Sequence, residues 1–199
     1  MNSPAPIATN ETTILILNGA SSSGKTSLVK ALQKTLDAPY LDAGLDRFLW
    51  MLPPRYLDRP LWDEVLGLAT QAGDVGNRLV RGMHRSIAAL ATAGNNVVAD
   101  HVLVEPAWLA DCATLFAGMR AYLIGVHCPL DVLEERERSR KDRTLGQAKA
   151  QYDIVHRGAV YDIELDTHTL SPEACAEFIK EKLDRGLRPM AFQMLRDTQ

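Results

Sequence analysis

Apolar residues run along this chain in two alternating rhythms. Short blocks of consecutive apolar residues give way to stretches where apolar positions recur every three or four residues. The first block, Thr13-Ile14-Leu15-Ile16-Leu17-Asn18, is rich in residues branched at Cβ and has no polar alternation, as expected of a strand buried on both faces. Apolar blocks at 96–100 and 121–127, and shorter mixed segments at 39–42 and 162–166, are the other candidate strands. Leu28, Val29, Leu32 and Leu36 keep helical spacing and predict a helix over 25–36. Further helices are predicted at 46–52, 75–93, 106–117, 130–140 and 172–184, the third from the N-terminus stopping at Gly94-Asn95. Strand followed by helix, repeated, predicts an α/β fold: a three-layer α/β/α sandwich around a mainly parallel five-stranded sheet.

One domain over 13–184 accounts for this pattern, with a loose tail at 1–12 and a tail at 185–199 that is mobile or packed across the surface. Two stretches interrupt the alternation. Residues 53–73 carry Pro53, Pro54, Pro60, Tyr56, Trp62 and Leu66, either a surface excursion with its own small apolar contact or a cover over an acceptor pocket. Residues 134–146 are dense in both signs of charge.

Composition narrows the setting. Hydrophobic residues make up 46% of the chain, charged residues 24%, and the formal net charge is −3, which suits a globular protein and gives no electrostatic case for a nucleic-acid partner. Cys112, Cys128 and Cys175 are widely spaced with no C-x-x-C, the pattern of reduced thiols. No apolar run is long enough to cross a membrane, and the first dozen residues lack the features of a signal peptide, so a cytoplasmic location with access to ATP is expected.

Chemistry concentrates between the first strand and the first helix. Gly19, Ala20, Ser21, Ser22, Ser23, Gly24, Lys25 and Thr26 spell G-x-x-x-x-G-K-T, the loop whose backbone amides wrap the phosphates of a nucleotide. The amides and the helix N-terminus behind them form a nest for anions. Lys25 would place its charge on the β- and γ-phosphates, and Thr26 would offer its hydroxyl to Mg²⁺. Acidic residues at strand ends come next, because ligands of parallel sheets bind there. Asp100 closes the third strand and could hold Mg²⁺ beside Thr26, or could be a turn or cap residue; His101 reads as a polar loop residue. Asp46 could cap the short helix after the second strand, or could accept the proton of an attacking hydroxyl. In the charged segment, Arg136, Arg140 and Arg143 are candidates to neutralise a transferring phosphoryl group, while Arg138 points outward. Gly146 offers a joint for a closing lid.

Together these residues resemble chloramphenicol phosphotransferase and its relatives. The resemblance rests on Leu17 to Thr26, Gly44-Leu45-Asp46 and Asp100, and on Arg136 to Gln151 followed by His156, Gly158, Tyr161-Asp162 and Asp166-Thr167. It implies a P-loop kinase fold in which ATP and Mg²⁺ phosphorylate a hydroxyl of a small molecule. By the same resemblance Asp46 is the general base, Arg136, Arg140 and Arg143 belong to a phosphate-contacting lid, and Asp166 and Thr167 lie on the adenine side. Residues 53–73 depart from the pattern, and His101 stands where a second Asp would be, so the acceptor stays open between chloramphenicol and another antibiotic or metabolite alcohol. A nucleotide-dependent switch, or a toxin-type kinase acting on a cell-wall precursor, would use the same loop. Monomer and homo-oligomer are equally compatible with the sequence.

Overall fold

The computed structural model describes residues 12–57, 72–139 and 145–198. Five strands form one parallel sheet: β1 (Ile14–Asn18), β2 (Tyr40–Asp42), β3 (Asn96–His101), β4 (Ala121–His127) and β5 (Ile163–Asp166). Their order is β2-β3-β1-β4-β5, so the strand that feeds the glycine-rich loop lies at the centre. All five strands fall on the predicted segments, within a residue of each predicted boundary. Every residue of β1 is buried, as its uninterrupted apolar run requires.

Helix α1 (Lys25–Thr35) lies on one face of the sheet, packed on α7 (Pro172–Asp184). Leu15, Leu17, Leu28, Leu32, Ile124 and Ile179 are among the residues of this half of the core. The other face carries α3 (Asp74–Thr92) and α4 (Pro106–Phe116), with Ile14, Ile16, Met83, Ile87, Trp108 and Phe116 in its core. The short α2 (Leu45–Leu49) follows β2, and α5 (Leu130–Ser139) follows β4. These layers are the expected α/β/α sandwich.

Two helices lie where no helix is predicted. Helix α6 (Gln147–Tyr152) begins at Gly146, whose φ of 92° is left-handed. Its exposed N-terminal amides are met by a carboxylate: Gly146 N–H and Ala148 N–H donate to Glu137 at 2.7 and 2.9 Å. Glu137 is thus buried against α6, not part of a solvated charged face. Helix α8 (Ala191–Asp197) lies in the C-terminal stretch 185–199 and packs on the body of the domain. Phe192 is 2% exposed and meets Phe116 edge to face at 5.4 Å, while Asp162 accepts from the amides of Met190 and Ala191.

Candidate active site

The sheet's parallel register brings the site together. Leu17 pairs with Asp100 and Asn18 with His101, so the start of the loop and the end of β3 are side by side. Gly19 is glycine for lack of room: a Cβ there would lie 2.4 Å from the Val126 carbonyl oxygen. Gly24 is glycine for backbone reasons, since its φ is 88° and a Cβ would meet nothing closer than 3.8 Å. Ser22 also has positive φ, at 65°, an uncommon conformation for a residue with a side chain. Its hydroxyl is buried and, among the described residues, has no hydrogen-bond partner.

Lys25 curls back across the loop. Its Nζ donates to the carbonyls of Gly19 and Ala20, each at 2.7 Å, and reaches Ser23 Oγ at 3.4 Å. A buried ammonium inside a curve of left-handed backbone, next to an orphaned hydroxyl, fits the phosphates of a nucleotide. The loop is braced from outside. Ser21 N–H donates to Gln151 Oε1 at 2.6 Å, and Thr167 Oγ1 donates to the Ser23 carbonyl at 2.8 Å. Arg136 reaches over from α5 and donates to the Thr167 carbonyl at 2.8 Å, with Nη1 3.9 Å from where a Gly24 Cβ would be. Arg136 therefore sits at the seam between the loop and the turn after β5. Asp166 accepts from the His168 amide in that turn, a local cap. Arg138 points outward and pairs with Glu135 at 3.0 Å, whereas Arg140 and Arg143 lie outside the described residues.

On the other side of the loop Thr26 Oγ1 donates to Asp100 Oδ2 at 3.0 Å. Hydroxyl and carboxylate oxygens are the donors a Mg²⁺ ion prefers, and Mg²⁺ usually takes only one or two protein ligands beside water and phosphate. Burial pushes the Asp100 pKa up, the Lys25 charge pulls against it, and the charges of Asp46 and Asp42 add to the rise. A bound cation would relieve that cost. Gly44 makes the arrangement possible, because a Cβ there would fall 1.9 Å from Asp100 Oδ1. Gly44→Ala must therefore displace the carboxylate, and a ~10–100-fold rise in the Mg²⁺ concentration for half-maximal activity is expected. Unchanged Mg²⁺ dependence would count against Asp100 as a ligand.

A second consequence concerns stability. A carboxyl whose pKa is raised on folding stabilises the fold while it is protonated, below its unfolded pKa. It loses that contribution as pH rises through the folded value. Asp100→Asn should accordingly raise the thermal unfolding midpoint of metal-free protein at neutral pH, by an increment that shrinks on acidification. Calorimetry in chelator checks this, and a lowered midpoint at neutral pH would refute it.

Asp42, Asp46, Arg47, Trp50, Thr26 and Asp100 line one cleft of about 230 Å³. Asp42 is occupied structurally, accepting from the Gly44 amide at 3.1 Å and from Arg47 at 2.9 and 2.7 Å. Asp46 is not the helix cap. Gly44 holds the cap position, α2 starts at Leu45, and Asp46 lies in the first turn facing the cleft with Asp100. Trp50 is 73% exposed at its rim. Of residues 53–73, the segment 58–71 lies outside the described residues; Pro54–Tyr56 form a turn of 3₁₀ helix.

His101 corrects the reading as a polar loop residue: it is fully buried at the end of β3. Its Nδ1 accepts from the Val102 amide at 2.7 Å, which leaves Nε2–H to donate to His84 Nε2 at 2.8 Å. His84 then donates from Nδ1 to Asp111 at 2.7 Å, and Arg85 holds the same carboxylate. His101 thus faces the core rather than the metal side. Burial holds the nearby Cys112 thiol far above its ordinary pKa, so it stays protonated. Asn18, Glu137 and Gln151 lie inside the stretches that carry the family resemblance, but the sequence assigns them no task of their own. Gln151, five residues past Gly146, is brought to the loop only by the fold.

The model of the family described as "chloramphenicol phosphotransferase-like protein" matches residues 12–184. A Mycobacterium tuberculosis protein provisionally named an O-phosphotransferase is 34% identical over 196 residues, spanning 92% of this chain and 87% of its own length. Among solved structures, a sugar kinase from Janibacter covers 88% of this chain and 96% of its own with a TM-score of 0.66 at 18% identity. The APS kinase CysC of M. tuberculosis, solved with AMPPNP and APS, covers 87% and 98% with a TM-score of 0.61 at 18% identity. A shikimate kinase from Acinetobacter baumannii, solved with shikimate, covers 91% and 98% with a TM-score of 0.56 at 14% identity. At these identities the solved structures establish the fold alone, that of the P-loop kinases.

Proposed function

The chain belongs to the chloramphenicol phosphotransferase-like family of phosphotransferases, and from that premise we propose that it transfers the γ-phosphoryl group of ATP to a hydroxyl of a small molecule. The single observation that carries the reading is the shared edge of the site. Thr26 of the loop, Asp100 of β3 and Asp46 of α2 converge on one cleft at the carboxyl end of the sheet, and the Lys25 charge acts on the same Asp100 carboxylate.

In this reading Lys25 and the loop amides hold the β- and γ-phosphates. Thr26 and Asp100 would hold Mg²⁺, which when bound would neutralise charge on the phosphate oxygens. Asp46 accepts a hydrogen bond from the acceptor hydroxyl and turns its oxygen toward the γ-phosphorus. As the new O–P bond forms, the bond between the γ-phosphorus and the bridging oxygen breaks, the hydroxyl proton passes to Asp46, and ADP leaves. Arg136, already tied to Thr167 at the edge of the loop, supplies positive charge beside the donor, and Arg140 and Arg143, which follow it in the sequence, are proposed to add to that charge when the nucleotide is bound. Asp166 and Thr167 border the nucleotide on its base side.

Trp50 offers an exposed indole beside Asp46, a surface on which an acceptor with a flat apolar face would rest. Chloramphenicol is one such alcohol. The reading is tested by incubating the protein with ATP, Mg²⁺ and a panel of antibiotic, sugar and nucleoside alcohols, chloramphenicol among them, and following masses. Gain of one phosphoryl group by one member supports it. A panel left unchanged while the protein's own partners or cell-wall precursors are phosphorylated would assign the site to a different acceptor class.

A further inference from the structure

Asn18 is the last residue before the phosphate loop, and its side chain is fully buried. Three segments meet on it. Oδ1 accepts from the Leu103 amide at 2.8 Å, in the turn that follows Asp100. Nδ2 donates to the Val155 carbonyl at 2.8 Å, just past α6, and to Tyr161 Oη at 2.8 Å. One primary amide thus ties the loop to the metal-side turn and to the base of the charged segment.

The protons along this chain have fixed directions. Leu103 N–H can only donate and the Val155 carbonyl can only accept, which sets the orientation of the Asn18 amide. Tyr161 Oη, accepting a hydrogen bond from Asn18, has one proton of its own to donate, and His156 Nδ1 lies 2.6 Å away to accept it. His156 is therefore the neutral tautomer with hydrogen on Nε2. Its ring stacks on His127 at 4.1 Å, and His127 bonds Glu164 at 2.8 Å. Burial, with His127 and Lys25 adding to it, lowers the His156 pKa to about 4. The Tyr161 ring lies against β4 only because residue 125 is glycine; a Cβ there would come within 2.8 Å of it. Val155 and His156 follow directly on α6, whose Gln151 holds the Ser21 amide. The loop and the α6 segment are therefore joined twice.

We propose that Asn18, backed by Tyr161 and His156, is a positioning residue for phosphoryl transfer, holding the phosphate loop, the Asp100 turn and the α6 segment in one register. It touches neither nucleotide nor acceptor. The proposal rests on the phosphotransferase reading for its kinetic part and on the chain's hydrogen bonding for its spectroscopic part.

Two variants test it. Asn18→Asp keeps the shape and the acceptor for Leu103 but cannot donate to Val155 or Tyr161. Misregister of this kind should lower kcat by ~10²-fold while the Kd for ATP stays within about threefold. Tyr161→Phe removes one hydroxyl and should lower kcat by ~2–10-fold. Nitrogen-15 NMR of the histidine rings should show His156 as the Nε2–H tautomer in the unaltered protein and lose that preference in both variants. In Asn18→Asp the cause is the Tyr161 hydroxyl turning toward the new carboxylate. A kcat unchanged beside a lowered unfolding midpoint would make Asn18 merely structural and overturn the proposal. So would a His156 tautomer indifferent to Tyr161→Phe, a result that holds even if Asn18→Asp does not fold. If the unaltered protein transfers no phosphoryl group, the function reading fails and the tautomer measurement alone decides this one.

Discussion

Asn in place of Asp46 is expected to lower kcat by ~10²–10⁴-fold with ATP affinity nearly intact. The substitution keeps size and polarity but removes the only feature the proposed role needs, a basic oxygen for the acceptor's proton. Asp46 lies in the first turn of α2, away from the core contacts of Leu45 and Leu49, so the fold should tolerate the change. A negative charge is also withdrawn from the neighbourhood of Asp100, where it now opposes ionisation. The acid limb of the rate profile that reports the metal carboxylate should shift downward in the variant, even as the maximum rate collapses. Steady-state kinetics across pH, with nucleotide binding measured separately by calorimetry, checks both parts. A variant with undiminished kcat would remove Asp46 from the mechanism.

Lys25→Met is the second large effect, with ~10²–10³-fold lost in kcat, the scale of removing one preorganised donor from a developing charge. Methionine preserves much of the length and the buried stem. What disappears is the ammonium that spans the Gly19 and Ala20 carbonyls and Ser23 Oγ. In the folded loop those carbonyls would be left facing an apolar side chain, so a moderate fall in the unfolding midpoint should accompany the kinetic loss. Nucleotide affinity should weaken as well, which separates this variant from Asp46→Asn. Activity within tenfold of the unaltered protein would mean that the loop binds its nucleotide without the lysine's charge.

The parts of this molecule that were legible in its sequence are those encoded locally. The central strands β1, β3 and β4 announce themselves by apolar runs that a buried parallel sheet requires, and the loop because Gly19 and Gly24 answer a steric and a dihedral demand at fixed spacing. Asp100 follows from its position at a strand end. What was not legible depends on partners far away in the chain. His101 looks like a loop residue until His84 satisfies it from another element. Glu137 reads as one more surface charge until the amides at the start of α6 fold onto it. Helix α6 is six residues long and buries two glutamines, too short and too polar for periodicity to reveal. Helix α8, seven residues long and starting just after Pro189, shows its apolar face only once Phe192 meets Phe116. Asp46 is the intermediate case: the sequence offers cap or base, and the start of α2 at Leu45 removes the cap.

If the loop, Asp100 and Asp46 form one transfer site and not a nucleotide switch, every γ-phosphoryl group released must end on an acceptor. The most direct measurement is the fate of the γ-phosphoryl group in one vessel, with ADP, inorganic phosphate and phosphorylated alcohol quantified together with and without the acceptor. ADP and the phosphate ester should appear in equal amounts when the acceptor is present, with little inorganic phosphate and little turnover when it is absent. ADP matched by inorganic phosphate, at a rate no alcohol changes, would contradict a transfer site.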